Sequence, residues 1–235
     1  MKNDFQAEYT AAAAGIDGKK LSGIKTFIFD CGRVVTYDQD ARKAASMAGL
    51  LSAPIEDFTR IYHAERSAYD RGTMDAADYW ARVGERFGVR PDAETLEKIV
   101  ELDMDSWFTI NPETISIIRE LKGLGYRVIM LSNMNLEGKN RLFGPSRYLA
   151  GEDWLSLFDD VLLSCDLKMI KPEEDIYRAC LTRTLADASE CLFIDDIEVN
   201  LEGARRCGIH TYLFTKAGLL RDTLGEVLAG KWRNR

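Results

Sequence analysis

The sequence predicts an α/β protein built on a doubly wound parallel sheet, with a block of helices inserted after the first strand. Three observations predict it. Residues 24–30 (IKTFIFD) are a short apolar run ending in Asp30 and followed by Gly32, as a buried parallel strand would be. From Asn111 onward helix and strand patterns alternate strictly, the reading of parallel strands joined by crossovers. Between the two, residues 38–108 carry helix-like stretches and no convincing strand pair.

In chain order, residues 1–23 are expected to form a frayed arm or a short extra helix, because Gly15, Gly18 and the Lys19-Lys20 pair interrupt any pattern. Their only apolar run is Ala-rich and too short for a signal segment or a membrane span. After the first strand, IEDFTRIYHAERSAYDRG and AADYWARVGERFG read as helices, each closed by a glycine. Residues 38–108 are therefore expected to be a helical domain inserted into a core of residues 24–37 and 109–235. In that core PETISIIRELKGLG opens with Pro112 and Glu113 as a helix start. YRVIMLS and FDDVLLS read as strands, PEEDIYRACLTRTL as a helix, and CLFID, VNLEGARRCG and IHTYLF complete the series.

Composition narrows the function classes. Hydrophobic residues make up 46% and charged residues 29%, a globular balance. With a net charge of -7 and no Lys/Arg run, nucleic acid is not an expected partner, nor is a membrane. The five cysteines (Cys31, Cys165, Cys180, Cys191 and Cys207) contain no CxxC pair, so neither a zinc site nor a disulfide framework is expected. A cytoplasmic monomer or weak homodimer acting on a small molecule fits.

Parallel strands deliver their last residues to one edge of the sheet, where such folds bind ligands. The strand ends offer Asp30, Ser132-Asn133, Lys171 a few residues beyond VLLS, and Asp195-Asp196. Each has a purely structural reading. Asp-x-Gly is often a turn, Lys171-Pro172 could open a helix, and an Asp pair could cap one. Falling together on one edge, they read instead as a single oxygen-rich site of three carboxylates, a hydroxyl and an ammonium, with donors that suit Mg²⁺ rather than Zn²⁺.

The ordered segments Asp30-Cys31-Gly32-Arg33-Val34-Val35, Leu131-Ser132-Asn133, Lys171-Pro172 and Ile194-Asp195-Asp196, with Asn200 and Gly203-Ala204, resemble the four motifs of the haloacid dehalogenase superfamily. The resemblance covers residues 24–215, and the helical insertion resembles the cap of its phosphatases. Within the superfamily the chain is most similar to the branch of bacterial glucose-1-phosphate phosphatase and the phosphatase domain of soluble epoxide hydrolases. The resemblance implies a Rossmann-like core and an Mg²⁺-dependent phosphatase acting on a small phosphorylated metabolite, with a sugar 1-phosphate as one option. It implies that Asp30 attacks phosphorus to form an aspartyl phosphate, and that Mg²⁺ is held by Asp30, the Gly32 carbonyl and Asp196, with Asp195 a direct or outer partner. Ser132, Asn133 and Lys171 would bind the phosphoryl group, and Asn200 would hold Asp196 or its water. Arg71, in the Tyr69-Asp70-Arg71-Gly72 segment, is expected to read a substrate hydroxyl or carboxylate. His63 and His210 are expected to pack or to face solvent, and Trp80, Trp107, Tyr62 and Tyr69 mostly to fill the helical core, with a minority lining the substrate pocket.

One position departs from the family. Most of its phosphatases carry, two residues after the nucleophile, an Asp that protonates the leaving group; here that position is Gly32. Two alternatives follow, a metal-independent 2-haloacid dehalogenase and a catalytically weak module that binds a phosphorylated ligand. Crowding Asp195 and Asp196 near Asp30 counts against the first, because uncompensated like charges would keep the nucleophile protonated. The intact Asp30, Lys171 and Asp196 count against the second.

Overall fold

In a computed structural model of the chain, residues 21 and 23–228 are described. Of the expected N-terminal arm, residues 1–23, residues 1–20 and 22 lie outside them. Strand β1 (Thr26–Phe29) is followed by four helices, α1 (Ala41–Leu50), α2 (Ile55–Asp70), α3 (Ala76–Glu85) and α4 (Ala93–Trp107). The chain then alternates through α5 (Pro112–Gly123), β2 (Arg127–Ser132), α6 (Leu136–Phe143), β3 (Asp160–Leu163), α7 (Glu174–Thr184), β4 (Cys191–Asp195), α8 (Glu198–Arg206), β5 (His210–Leu213) and α9 (Ala217–Thr223). A short antiparallel pair, Tyr148–Leu149 with Glu152–Asp153, decorates the path from α6 to β3.

The five strands form one parallel sheet in the order β3-β2-β1-β4-β5. The chain winds outward from β1 on one side, then returns to the other side for β4, so the order reverses between β1 and β4. A crevice opens at the carboxyl ends of strands where such a reversal occurs. Register aligns those ends: Phe29 pairs with both Met130 and Ile194, and the Asp30 N–H donates to the Ile194 carbonyl at 2.9 Å.

Strand alternation sorts the core into two layers. Phe27, Phe29, Val128, Met130, Leu192 and Ile194 face one side, where Ile115, Ile118 and Leu121 of α5 and Leu220 of α9 cover them. Ile28, Ile129, Leu131 and Phe193 face the other, under Ile176 and Tyr177 of α7 and Leu201 of α8.

The inserted helices bury an apolar cluster of their own, with Met47, Phe58, Tyr62, Tyr69, Tyr79 and Trp80 at its centre. Three of the four aromatics expected there, Tyr62, Tyr69 and Trp80, are fully buried. The fourth, Trp107, is only partly covered. Asp40, Asp75 and Asp92 accept N-terminal N–H groups of α1, α3 and α4, which fixes where those helices begin. The two crossings into the insertion lie side by side: Tyr37 N donates to Thr109 O at 2.7 Å and Asn111 N to Val35 O at 2.9 Å. The four helices thus enter and leave at one place, just beyond the end of β1. Among the described residues, no helix is long and apolar enough to cross a membrane.

Candidate active site

Asp30 leaves β1 at the sheet's carboxyl edge with its side chain 10% exposed. Lys171, on the segment leading to α7, is buried beside it. The Lys171 Nζ lies 2.8 Å from Asp30 Oδ1 and 2.7 Å from Asp195 Oδ2, so one cation serves two buried carboxylates. Asn133 fixes the lysine's backbone from both sides, with Nδ2 donating to the Lys171 carbonyl at 3.0 Å and Oδ1 accepting its N–H at 2.9 Å. The Lys171-Pro172 peptide is cis, and α7 begins only at Glu174, so Pro172 does not open the helix.

Asp195 is wholly buried and saturated. Besides Lys171 it accepts from Ile197 N at 2.8 Å and from Asn200 Nδ2 at 3.2 Å to either oxygen. Asn200 therefore holds Asp195, not Asp196. Asp196 keeps part of its carboxylate open and pairs with Arg33 Nε at 2.8 Å. A glycine lets α8 approach this arrangement: a Cβ at Gly203 would sit 2.5 Å from the Pro172 carbonyl and 2.8 Å from the Tyr177 ring.

Oxygens of Asp30, Asp195 and Asp196 all lie within 4.8 Å of one another. Burial pushes the Asp30 carboxyl up to about 6; Lys171 opposes this, while Asp195 and Asp196 add to it. Burial alone would lower the Lys171 ammonium, but Asp195 and Asp30 override it and hold it above its ordinary value. Burial also raises Asp196 despite Arg33. Three carboxylates thus face two cations, an excess of buried negative charge built from hard oxygen donors. That donor set fits a divalent ion such as Mg²⁺ and offers no nitrogen or sulfur ligand. The neighbouring Cys31 thiol is driven up by burial and then by Asp30, so it remains a thiol.

A cavity of about 220 Å³ opens onto this edge. Asp30, Gly32, Ser132, Asn133, Lys171 and Asp196 line it from the sheet side; Asp195 lies beneath the wall. The opposite wall comes from the insertion. His63, Arg66 and Asp70 present one face of α2, and Met104 and Trp107 come from α4. Arg66 is held there by Asp103, with Nη1 at 3.0 Å from Oδ2, and by Asp70, with Nε at 3.2 Å from Oδ1.

Arg71, expected at the site, is not on this wall. Its guanidinium pairs with both oxygens of Glu173 beside the cavity. The break expected at Gly72 is real, with φ at +71°, and it lets the end of α2 press onto the core: a Cβ there would meet Lys168 Nζ at 2.8 Å and Cys165 O at 2.9 Å. Asp70, in the Tyr69-Asp70-Arg71-Gly72 segment expected to face the site, does line the cavity, whereas nothing in the sequence singled out His63 or Arg66 for this wall. Their spacing of i, i+3, i+7 marks a polar stripe alongside the buried Phe58, Tyr62 and Tyr69, a signal available but silent about what the stripe faces.

The family model for haloacid dehalogenase-like hydrolases matches residues 24–208. A phosphatase of Mycobacterium tuberculosis is 29% identical over 141 residues, 57% of this chain and 63% of that protein. The match therefore spans less than two thirds of that relative. A sesquiterpene phosphatase of Aspergillus oryzae is 27% identical over 189 residues, 79% of this chain and 87% of its own length. Among solved structures, a family enzyme of Bacteroides thetaiotaomicron in complex with magnesium and inorganic phosphate superposes with a TM-score of 0.64 at 25% identity, covering 83% of this chain and 96% of that one.

Proposed function

This chain belongs to the haloacid dehalogenase-like hydrolases, and from that premise we propose that it is an Mg²⁺-dependent phosphatase of small phosphorylated metabolites with Asp30 as nucleophile. One observation carries the reading. A buried carboxylate, a cation shared with a second carboxylate, a hydroxyl and a third carboxylate converge on one cavity at the carboxyl edge of the sheet. Phosphatase-named relatives and the magnesium and phosphate bound by a similar fold support it.

Asp30 attacks phosphorus as the bond to the leaving oxygen breaks, giving an aspartyl phosphate; water then attacks phosphorus, the bond to Asp30 breaks and phosphate departs. Splitting the displacement in two lowers the barrier of each half. Lys171, aligned by Asp195 and Asn133, places positive charge against Asp30 and the incoming phosphoryl oxygens, and Ser132 donates a hydrogen bond to one of them. Asp30, the Gly32 carbonyl and Asp196 would hold Mg²⁺, and Asp195, saturated by Lys171, Ile197 and Asn200, would support them from beneath. The ion would neutralise phosphate charge and, by offsetting the excess of carboxylates, keep Asp30 ionised. The four inserted helices act as a cap that supplies the wall around the leaving group. Gly32 offers no acid to that group, which favours substrates with a stable leaving oxygen, sugar 1-phosphates among them, under conditions where no other residue supplies the proton.

The test is hydrolysis of an aryl phosphate with and without chelator. Activity should vanish in chelator and return with Mg²⁺, and beryllium fluoride with Mg²⁺ should raise the melting temperature of the wild type but not of Asp30→Asn. Turnover of a 2-haloacid in chelator, with no phosphate release in Mg²⁺, would transfer the chain to dehalogenation.

A further inference from the structure

On the phosphatase reading, one proton has no carrier: the one the leaving oxygen takes up and the attacking water gives back. Gly32 cannot hold it, and the space its missing side chain would fill is open, with only Trp107 Cζ3 within 4.0 Å of a Cβ built there. Trp107 leads directly to a histidine. The His63 ring stands edge-on to the Trp107 ring at 6.5 Å and to Tyr62 at 4.9 Å. His63 lines the same cavity as Asp30, and its side chain stays open to solvent. Among the described residues, neither of its ring nitrogens has a hydrogen-bond partner.

The other titratable groups nearby are committed or absent from the wall. Asp70 Oδ1 accepts from both Arg66 and Asn135, and Asp103 is enclosed by Arg66 and Tyr62. Asp38, close to the nucleophile in sequence, does not line the cavity. Arg33 is bound to Asp196.

We propose that His63 is the acid and base of the reaction, taking the place of the carboxyl that Gly32 lacks. In the first half, Asp30 forms its bond to phosphorus while the leaving oxygen takes the imidazolium proton and departs as an alcohol. In the second, water bonds to phosphorus, its proton passes to the neutral imidazole, and Asp30 is released. Each cycle consumes one water, and His63 ends as it began.

Its surroundings set the pH at which this works. Burial lowers the His63 pKa, and Arg66 on its own helix and Arg33 from the loop after β1 lower it further, while Asp103 of α4 and Asp38 oppose them. The imidazolium needed for the first half therefore predominates only on the acid side of the ordinary histidine range. An arriving phosphate dianion shifts the balance towards it.

The experiment is kcat/KM for a series of substituted phenyl phosphates, with Mg²⁺, at about pH 5.5 and about pH 8, chosen to bracket histidine ionisation. The wild type should depend weakly on leaving-group pKa at the lower pH and steeply at the higher. His63→Asn and His63→Gln should be steep at both, losing about 10²-fold with the poorest leaving group and little with the best. Comparing variant with wild type at each pH cancels the ionisation of the substrate itself. Gly32→Asp in the His63→Asn background should restore the shallow dependence. Equal slopes in wild type and variants at both pH values would overturn the assignment. If neither variant folds, a wild-type slope unchanged by pH would overturn it. No aryl phosphate hydrolysis by the wild type at either pH would overturn the phosphatase reading itself, a result distinct from equal slopes.

Discussion

Lys171 neutralises two carboxylates that burial would otherwise make costly, Asp30 and Asp195. Removing it leaves both without their cation, Asp195 wholly buried and Asp30 nearly so. Lys171→Met should therefore lower stability by about 3–5 kcal/mol, measurable by urea titration, as well as abolish turnover. Asp30 carries a cost of the opposite sign. Its folded pKa, about 6, stands above the ordinary 3.8, so between these values the native state holds a proton that the unfolded chain has released. Stability then falls as pH rises through this window. Asp30→Asn in chelator should be more stable than the wild type at pH above about 6, by on the order of 2–3 kcal/mol, and the gain should disappear below pH of about 4. Denaturant curves at the two extremes check both the sign and the window. A constant difference across pH would mean that Asp30 is not destabilised by burial.

Among the elements, α8 and the segment before α7 decide where Lys171 sits. The bare Cα of Gly203 lets α8 lie against the Pro172 carbonyl, and Tyr177 Oη donates to Asn200 O at 2.7 Å to hold the contact. Gly203→Ala forces backbone apart, because the obstacle at 2.5 Å is a carbonyl and not the end of a flexible side chain. It should lower stability by about 1–3 kcal/mol. Activity should fall more than tenfold, since a shift of about 1 Å in a catalytic group is expensive. Thermal melts and steady-state kinetics separate the two effects. At the insertion, α2 has two faces with different duties: Phe58, Tyr62 and Tyr69 bury into the helical cluster, and Arg66 links the buried Asp103 of α4 to Asp70 at the cavity.

In the whole molecule, the end of α2 is the seam between inserted helices and core. The Ser164 hydroxyl donates to the Asp70 carbonyl, Asn135 Nδ2 donates to the Asp70 carboxylate at 3.2 Å, and Lys168 Nζ donates to Gly72 O at 2.6 Å. Arg71 with Glu173 adds an ion pair at the rim of this seam, its partners 26% and 46% exposed. Solvent screens such a pair. A double-mutant cycle of Arg71→Ala and Glu173→Ala should give a coupling of about 0.2–1 kcal/mol. KM for a small aryl phosphate should change less than about threefold, because Arg71 does not reach the cavity. A tenfold rise in KM would place Arg71 on the substrate after all.

The sequence by itself determined the sheet and the edge that carries the chemistry. Apolar runs such as TFIF and CLFI are legible because a strand covered on both faces must be apolar throughout, and parallel winding sends their last residues to one edge whatever the loops do. Asp30, Ser132, Lys171 and Asp196 could be named for that reason. Only the tertiary structure decided the opposite wall. Arg71 and His63 lie on or just beyond the same helix, and helical periodicity gives each a face but not what that face meets. That depends on how four helices pack on one another and how Gly72 and the paired crossings at Tyr37 and Asn111 seat them on the core, contacts between residues far apart in the chain. The same holds for Asn200, whose choice of Asp195 over its neighbour is set by the turn from β4 into α8.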